Sequence, residues 1–160
     1  MTIDFIEAEW IPKPRRDPCI ALFGTCGGST WRDVFISEYE AEGITYYNPV
    51  VENWTPECAA EEARHLATDD IILFPVTDET AGFGSLAEIG FAVAQILTSS
   101  RMRSGIFYVA EKCDNVDSNK VRALVRAHLS KVDHHRIRIV NNLEQMLDTS
   151  LEVFDLAAGR

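Results

Sequence analysis

The sequence predicts an α/β fold in which helices cover both faces of a five-stranded parallel sheet. Short apolar runs alternate with amphipathic helical patterns along the whole chain, and parallel strands need such helical crossovers. The chain has 160 residues without repeats or low-complexity segments, enough for one domain with its own core. Five strands at this length favour a flavodoxin-like, Rossmann-like three-layer sandwich of strand order 2-1-3-4-5 over a two-halved dinucleotide-binding fold.

The first strand and helix are predicted by one apolar run and one amphipathic pattern. Residues 19–23 form a short apolar strand that ends at Gly24. Residues 30–41 predict a helix that Thr30 caps and Gly43 ends. The buried face of this helix is expected to hold Trp31, Val34, Phe35 and Tyr39.

The remaining elements follow the same alternation. The strand at 44–47 is closed by Asn48-Pro49. The helix after it begins with a cap residue, Thr55, and with Pro56 at the first helical position. Further strands are predicted at 71–76, 104–110 and 136–140, and helices at 55–67, 85–98, 117–129 and 143–156.

Residues 1–17 predict an N-terminal arm ahead of a single domain, 18–160. Pro12 and Pro14 interrupt any helix near the end of this arm, and Trp10 is the candidate anchor.

Charge and cysteine content narrow the classes of function. A formal net charge of -10 argues against nucleic acid or an anionic membrane as a partner. No signal-peptide pattern and no stretch of about 18 apolar residues occurs. The cysteines, without close metal-type spacing, indicate reduced thiols in the cytoplasm, and we expect no metal and no cofactor.

One carboxylate, Glu88, stands where open α/β sheets bind their ligands. It follows the apolar strand 71–76 and a glycine-bearing loop, at the carboxyl edge of the sheet. Gly90 in the helix interior costs about 1 kcal/mol relative to alanine, which indicates a close approach to the backbone there. The alternative for Glu88 is a capping box with Ser85, in which the carboxylate bonds back to its own helix start.

A second candidate is the segment after the first strand, Gly24-Thr25-Cys26-Gly27-Gly28-Ser29, which we call the glycine loop. A loop of small residues before a helix offers amides and hydroxyls to a phosphate or a sugar. It matches neither a Walker loop nor a dinucleotide fingerprint. The alternative is an ordinary tight turn.

The spacing of Cys26 and Arg32 resembles that of the low-molecular-weight protein tyrosine phosphatases. In that family the cysteine attacks phosphorus as a thiolate and the arginine clamps the phosphoryl oxygens. Two features depart from the family. Asp33 follows the arginine, and the only Asp-Pro is Asp17-Pro18, far from the late position of the family's general acid.

The stretch 68–95 resembles the nucleoside 2-deoxyribosyltransferases and the related N-glycoside hydrolases of deoxynucleoside monophosphates. It contains the pair Asp69-Asp70, an apolar strand, a loop with glycines and then Glu88-Ile89-Gly90-Phe91-Ala92. The glycine loop resembles that of the hydrolase branch. Asn48-Pro49 with Trp54 resembles a deoxyribosyltransferase-like subfamily.

This resemblance covers roughly residues 19–110 and implies cleavage or transfer at the N-glycosidic bond of a (deoxy)nucleoside or nucleotide. It makes Glu88 the nucleophile on the anomeric carbon and Glu62 the acid that protonates or holds the base. A solvated helix surface is the alternative for Glu62. The candidate substrate-binding residues are Gly24, Thr25, Gly27, Gly28, Ser29, Asn48, Trp54, Asp78, Gly84 and Ser85.

Gly82 departs from the family pattern, because members carry a polar, sugar-contacting residue six positions before the nucleophile. Asp78 or Glu79 would have to supply that contact instead. The loss of this polar residue favours the non-enzyme alternative, a nucleotide- or nucleotide-sugar-binding module on the same fold.

Aromatic and apolar side chains add two expectations. Trp54, in a loop after a strand, is the better candidate for stacking on a base, whereas core packing is favoured for Trp31. The helix pattern 86–97 is apolar nearly all round, and one sheet covers only one of its faces. We therefore expect a two-fold homodimer, or a larger homo-oligomer built from it, at this helix.

Overall fold

The computed structural model describes residues 16–160, so the predicted arm lies almost entirely outside the described residues. The sheet is parallel throughout, with strand order β2-β1-β3-β4-β5, which confirms the predicted fold class. The strands are β1 (Cys19–Leu22), β2 (Thr45–Tyr47), β3 (Ile71–Val76), β4 (Ser104–Val109) and β5 (Ile137–Ile139). The helices are α1 (Trp31–Glu42), α2 (Pro56–Thr68), α3 (Phe83–Thr98), α4 (Val116–Leu129) and α5 (Leu143–Ala158).

The alternation of side chains along the strands divides the core into two layers. On β3, Ile72 and Phe74 pack with α2, α3 and α4 on one face, while Ile71 and Leu73 pack with α1 and α5 on the other. All six residues of β3 are buried, as a central parallel strand requires. The site-bearing helix α3 is thus held on one face of the sheet beside the central strand.

The helix ends differ in detail from the predicted ones. Thr30 and Thr55 occupy the N-cap positions of α1 and α2, but neither side chain makes a capping hydrogen bond. Pro56 does open α2 as predicted. Val34 is exposed, so the buried face of α1 is narrower than predicted, because residues beside the core-facing stripe still reach solvent.

Candidate functional site

A cleft of about 480 Å³ opens at the carboxyl edge of the sheet. Its walls come from the glycine loop after β1, the segment 49–54 after β2, one side of α2 and the first two turns of α3. A hollow of this volume suits a small molecule. Crossover connections meet at this edge of a parallel sheet, so segments distant in sequence converge there.

Glu88 lines this cleft together with the glycine loop. The alternative of a capping box with Ser85 is not supported, because α3 begins at Phe83, two residues before the predicted start. Gly82 is the N-cap residue, and its carbonyl accepts a hydrogen bond from the Leu86 amide at 2.9 Å. Glu88 therefore lies in the second turn of the helix, where its carboxylate is not needed to cap the helix start.

Glu62 projects from α2 into the same cleft and is half-buried, which distinguishes it from a fully solvated surface carboxylate. Burial raises the pKa of Glu88, and the negative charge of Glu62 raises that pKa further. Burial, followed by the charge of Glu62, also raises the pKa of Tyr47 to about 12. The cleft thus brings together two carboxylates, and the charge of Glu62 acts on the half-buried Glu88.

Removing the charge of Glu62 is expected to lower the pKa of Glu88. In Glu62→Gln the repulsion disappears while burial remains, so the Glu88 pKa falls towards its ordinary value without reaching it. Carboxyl-carbon NMR titration of Glu88 measures this change. Glu61→Gln is the matched control, because Glu61 is an exposed neighbour that contacts Arg64 and His65 instead. Equal shifts in the two variants would contradict a specific Glu62–Glu88 coupling.

The glycine loop is anchored to β3 through Thr25. The Thr25 amide donates to the Pro75 carbonyl at 2.8 Å, and the Thr77 amide donates to Thr25 Oγ1 at 2.8 Å. Thr25 is fully buried and does not line the cleft, so the prediction that it contacts a ligand is not supported. Gly27 and Gly28, by contrast, line the cleft with positive φ angles that favour glycine.

Arg32 lies beneath the glycine loop and is buried. Its guanidinium donates to the carbonyls of Leu22 at 2.9 Å, Thr25 at 2.6 Å and Gly24 at 3.3 Å. It also lies 3.6 Å from the sulfur of Cys26, whose side chain lines the cleft. Burial lowers the pKa of Arg32. The guanidinium therefore holds the shape of the loop, with most of its donors already engaged.

Trp31 donates from its indole nitrogen to the Thr25 carbonyl at 2.9 Å and is buried, which confirms that it packs in the core. Trp54 is different. It is 63% exposed and lines the mouth of the cleft. Asn48 does not line the cleft, because its side chain accepts a hydrogen bond from the Val50 amide within the turn.

The β3–α3 loop explains the glycine at position 82. Gly82 has a φ of 63°, and a Cβ there would lie 2.9 Å from a methyl carbon of Val76. Glu79 accepts hydrogen bonds from Ser29 and Thr77, which lower its pKa, and it does not line the cleft. Asp78 is exposed and lies outside the cleft. The prediction that Asp78 or Glu79 replaces the missing polar contact is therefore not supported.

Three of the other predicted contact residues line the cleft, namely Gly24, Gly84 and Ser85. The Ser29 hydroxyl instead donates a hydrogen bond to the Glu79 carboxylate. Sequence reasoning missed Val50 and Val51, two exposed apolar residues that form part of the wall. Their signal was an apolar pair directly after the Asn-Pro that ends β2, where a solvated turn would be polar.

Comparisons with protein-family models, with curated proteins and with solved structures find no match for this chain. Within residues 16–160, no group of three or more metal-ligating side chains forms a candidate metal site. No helix in that same part of the chain is long and apolar enough to span a membrane.

Proposed function

We propose that this protein cleaves or transfers the N-glycosidic bond of a (deoxy)nucleoside or nucleotide, with Glu88 as the nucleophile. The observation that carries the proposal is the placement of Glu88 and Glu62 in one cleft beside the glycine loop. The Glu88 carboxylate displaces the base from the anomeric carbon and forms a glycosyl ester, while Glu62 holds the departing base and passes it a proton from solvent. Water or a second base then releases the sugar from Glu88.

The walls of the cleft suit the parts of such a substrate. Trp54 offers an exposed aromatic face on which a base can stack. Gly27 and Gly28 leave room for a sugar or phosphate to approach their backbone amides. The four free cysteines accord with the reducing cytoplasm as the place of action.

A phosphatase using Cys26 and Arg32 is the second candidate, because both residues adjoin the glycine loop. The phosphatase hypothesis is disfavoured because the Arg32 guanidinium already donates to three backbone carbonyls. Few of its N–H groups are left to bind a phosphoryl group. A binding module without catalysis would need no coupled carboxylate pair.

A panel assay tests the proposal. The full chain is incubated with purine and pyrimidine nucleosides, deoxynucleosides and their 5′-monophosphates, with and without a second free base. Free base, exchanged base and inorganic phosphate are measured in each reaction. We expect base release or exchange without phosphate release. Phosphate release alone would favour the phosphatase, and ligand binding without turnover would favour the binding module.

The outer face of α3 supports a second part of the proposal, a homodimer. Phe91 is 66% exposed, and Phe83 and Leu97 lie exposed on the same helix. A Cβ on Gly90 would meet no atom of the described chain within 4 Å, so the close approach predicted there does not occur within the described part of one subunit. We infer that a second copy covers this face, because monomers rarely expose a large apolar patch.

Phe91→Asp is expected to convert the dimer into a monomer, because a carboxylate in an apolar interface pays for its desolvation. Sedimentation at micromolar concentration measures the change. Base release should fall with it, since α3 also carries Glu88. Val34→Asp is the matched control, as Val34 is equally apolar and exposed but lies on α1. A wild-type chain that sediments as a monomer and is fully active would refute the dimer.

A further inference from the structure

A second hollow, of about 690 Å³, lies at the amino edge of the sheet, opposite the cleft. It is formed by residues 16–18, 70–71, 101–104, 135–138 and 153–158, and we call it the amino-edge groove. None of its lining residues belongs to the cleft that carries Glu88. It therefore needs an explanation of its own.

The amino-edge groove is positively charged in a protein whose net charge is -10. Its lining contains four arginines against two aspartates. Arg16 and Arg101 both pair with Asp70, at 3.4 Å and 2.6 Å, so part of their charge is already balanced. Arg136 and Arg138 form no salt bridge with any carboxylate in the described range 16–160.

Arg136 is held in place while part of its guanidinium lacks a partner. One terminal nitrogen donates to the carbonyls of Ile96 at 3.3 Å, Ser99 at 3.1 Å and Arg101 at 3.2 Å. Its Nε is buried and has no hydrogen-bond acceptor among the described residues. A nitrogen that water cannot reach is closed to a ligand as well, so the donor available to a ligand is the second terminal nitrogen, Nη2, which forms no hydrogen bond within residues 16–160.

Arg138 is the central residue of β5, whereas Arg136 lies in the turn directly before this strand, and both line the groove. Two arginines that line the same hollow can hold one oxyanion, or two oxyanion groups of one molecule, through charge-assisted hydrogen bonds.

The other wall of the groove is apolar. Met102 is 74% exposed and Leu156 is 71% exposed, and both line the hollow. The volume exceeds what an inorganic ion needs and falls in the range of small-molecule sites. We propose that the amino-edge groove binds a small organic anion with a doubly charged oxyanion end. Arg136 and Arg138 hold that end, and Met102 and Leu156 contact the apolar body.

Benzylphosphonate and phthalate are suitable probes, because both join a doubly charged end to an aromatic ring, one through a phosphonate and one through two carboxylates. Titration calorimetry of the full chain at low ionic strength measures binding. Binding of one probe alone identifies its end group as the preferred oxyanion, and binding of both indicates a site for either. Amide NMR shifts locate the site and are expected at residues 101–104 and 135–138.

Arg138→Gln is expected to weaken binding at least about tenfold, because charge-assisted hydrogen bonds to an anion are lost. Arg138→Lys keeps the charge without the planar fork and should show an intermediate loss. It also serves as the test variant if the glutamine variant does not fold. Lys131→Gln is the matched control, since it removes the same charge from an exposed position outside the groove.

Three results would overturn the proposal. Neither probe binds at concentrations up to about 10 mM, well above the millimolar dissociation constants of weak sites. Arg138→Gln and Lys131→Gln weaken binding equally. The NMR shifts fall on the glycine loop instead of the amino-edge groove.

Discussion

Replacing Glu88 by glutamine is expected to lower the rate of base release by at least about a thousandfold, the scale of losing a nucleophile. Glutamine keeps the shape of the side chain but cannot form the glycosyl ester. The measurement is kcat/KM for base release with the best substrate of the panel. Cys26→Ser is the matched control, because it alters another side chain of the same cleft and should leave base release largely intact.

We expect that the loss of activity in Glu88→Gln does not result from unfolding of the variant. Burial raises the Glu88 pKa in the folded state above its value in the unfolded chain. The folded state then holds the proton more tightly, so the free energy of unfolding declines as pH rises through the raised pKa. Glutamine does not ionise, and at neutral pH the variant should be at least as stable as the wild type in urea denaturation. A less stable variant would contradict this account of Glu88.

Gly24→Ala is expected to destabilise the fold by about 2–5 kcal/mol, from backbone strain together with overpacking. Gly24 has a φ of 99°, and a Cβ there would lie 2.2 Å from the Pro75 carbonyl oxygen. The loop would have to move away from β3, which breaks the hydrogen bond from Thr25 to Pro75. Urea denaturation measures the stability, and base release should fall as the cleft loses its wall.

Gly28→Ala separates crowding from backbone strain in that experiment. Gly28 has a φ of 87°, but no atom lies within 4 Å of the Cβ that alanine would add. Only the strain of the left-handed conformation remains, about 1–2 kcal/mol. Equal destabilisation by the two variants would show that contact with Pro75 does not anchor the loop.

The fold could be predicted from the sequence because its signals are local. Strands β1 and β3 are apolar runs, and β3 is apolar throughout because both of its faces are covered. The cleft position of Glu88 followed from the rule that ligands bind at the carboxyl edge, without any contact being known. The helix α3 begins before its predicted start at Ser85, where the sequence shows a capping motif. The actual N-cap residue is Gly82, whose left-handed conformation is required only by the three-dimensional course of the loop.

The roles of the loop side chains could not be predicted, because their partners are distant in sequence. Thr25 forms hydrogen bonds with Pro75 and Thr77, and Ser29 forms one with Glu79. In each case the partner lies about fifty residues away in the sequence. A small polar residue in a glycine loop gives the same local pattern whether it contacts a ligand or a neighbouring strand. Arg32 shows the same ambiguity, since a phosphate clamp and a buried loop anchor need the same residue type.

The most direct test of the role of Glu88 is the mass of the peptide that contains it after rapid acid quenching of wild-type protein during turnover. We expect this peptide to carry the added mass of one pentosyl or deoxypentosyl group, and the adduct to be absent from Glu88→Gln. A phosphoryl group on the peptide that contains Cys26, or a sugar on any residue other than Glu88, would contradict the account.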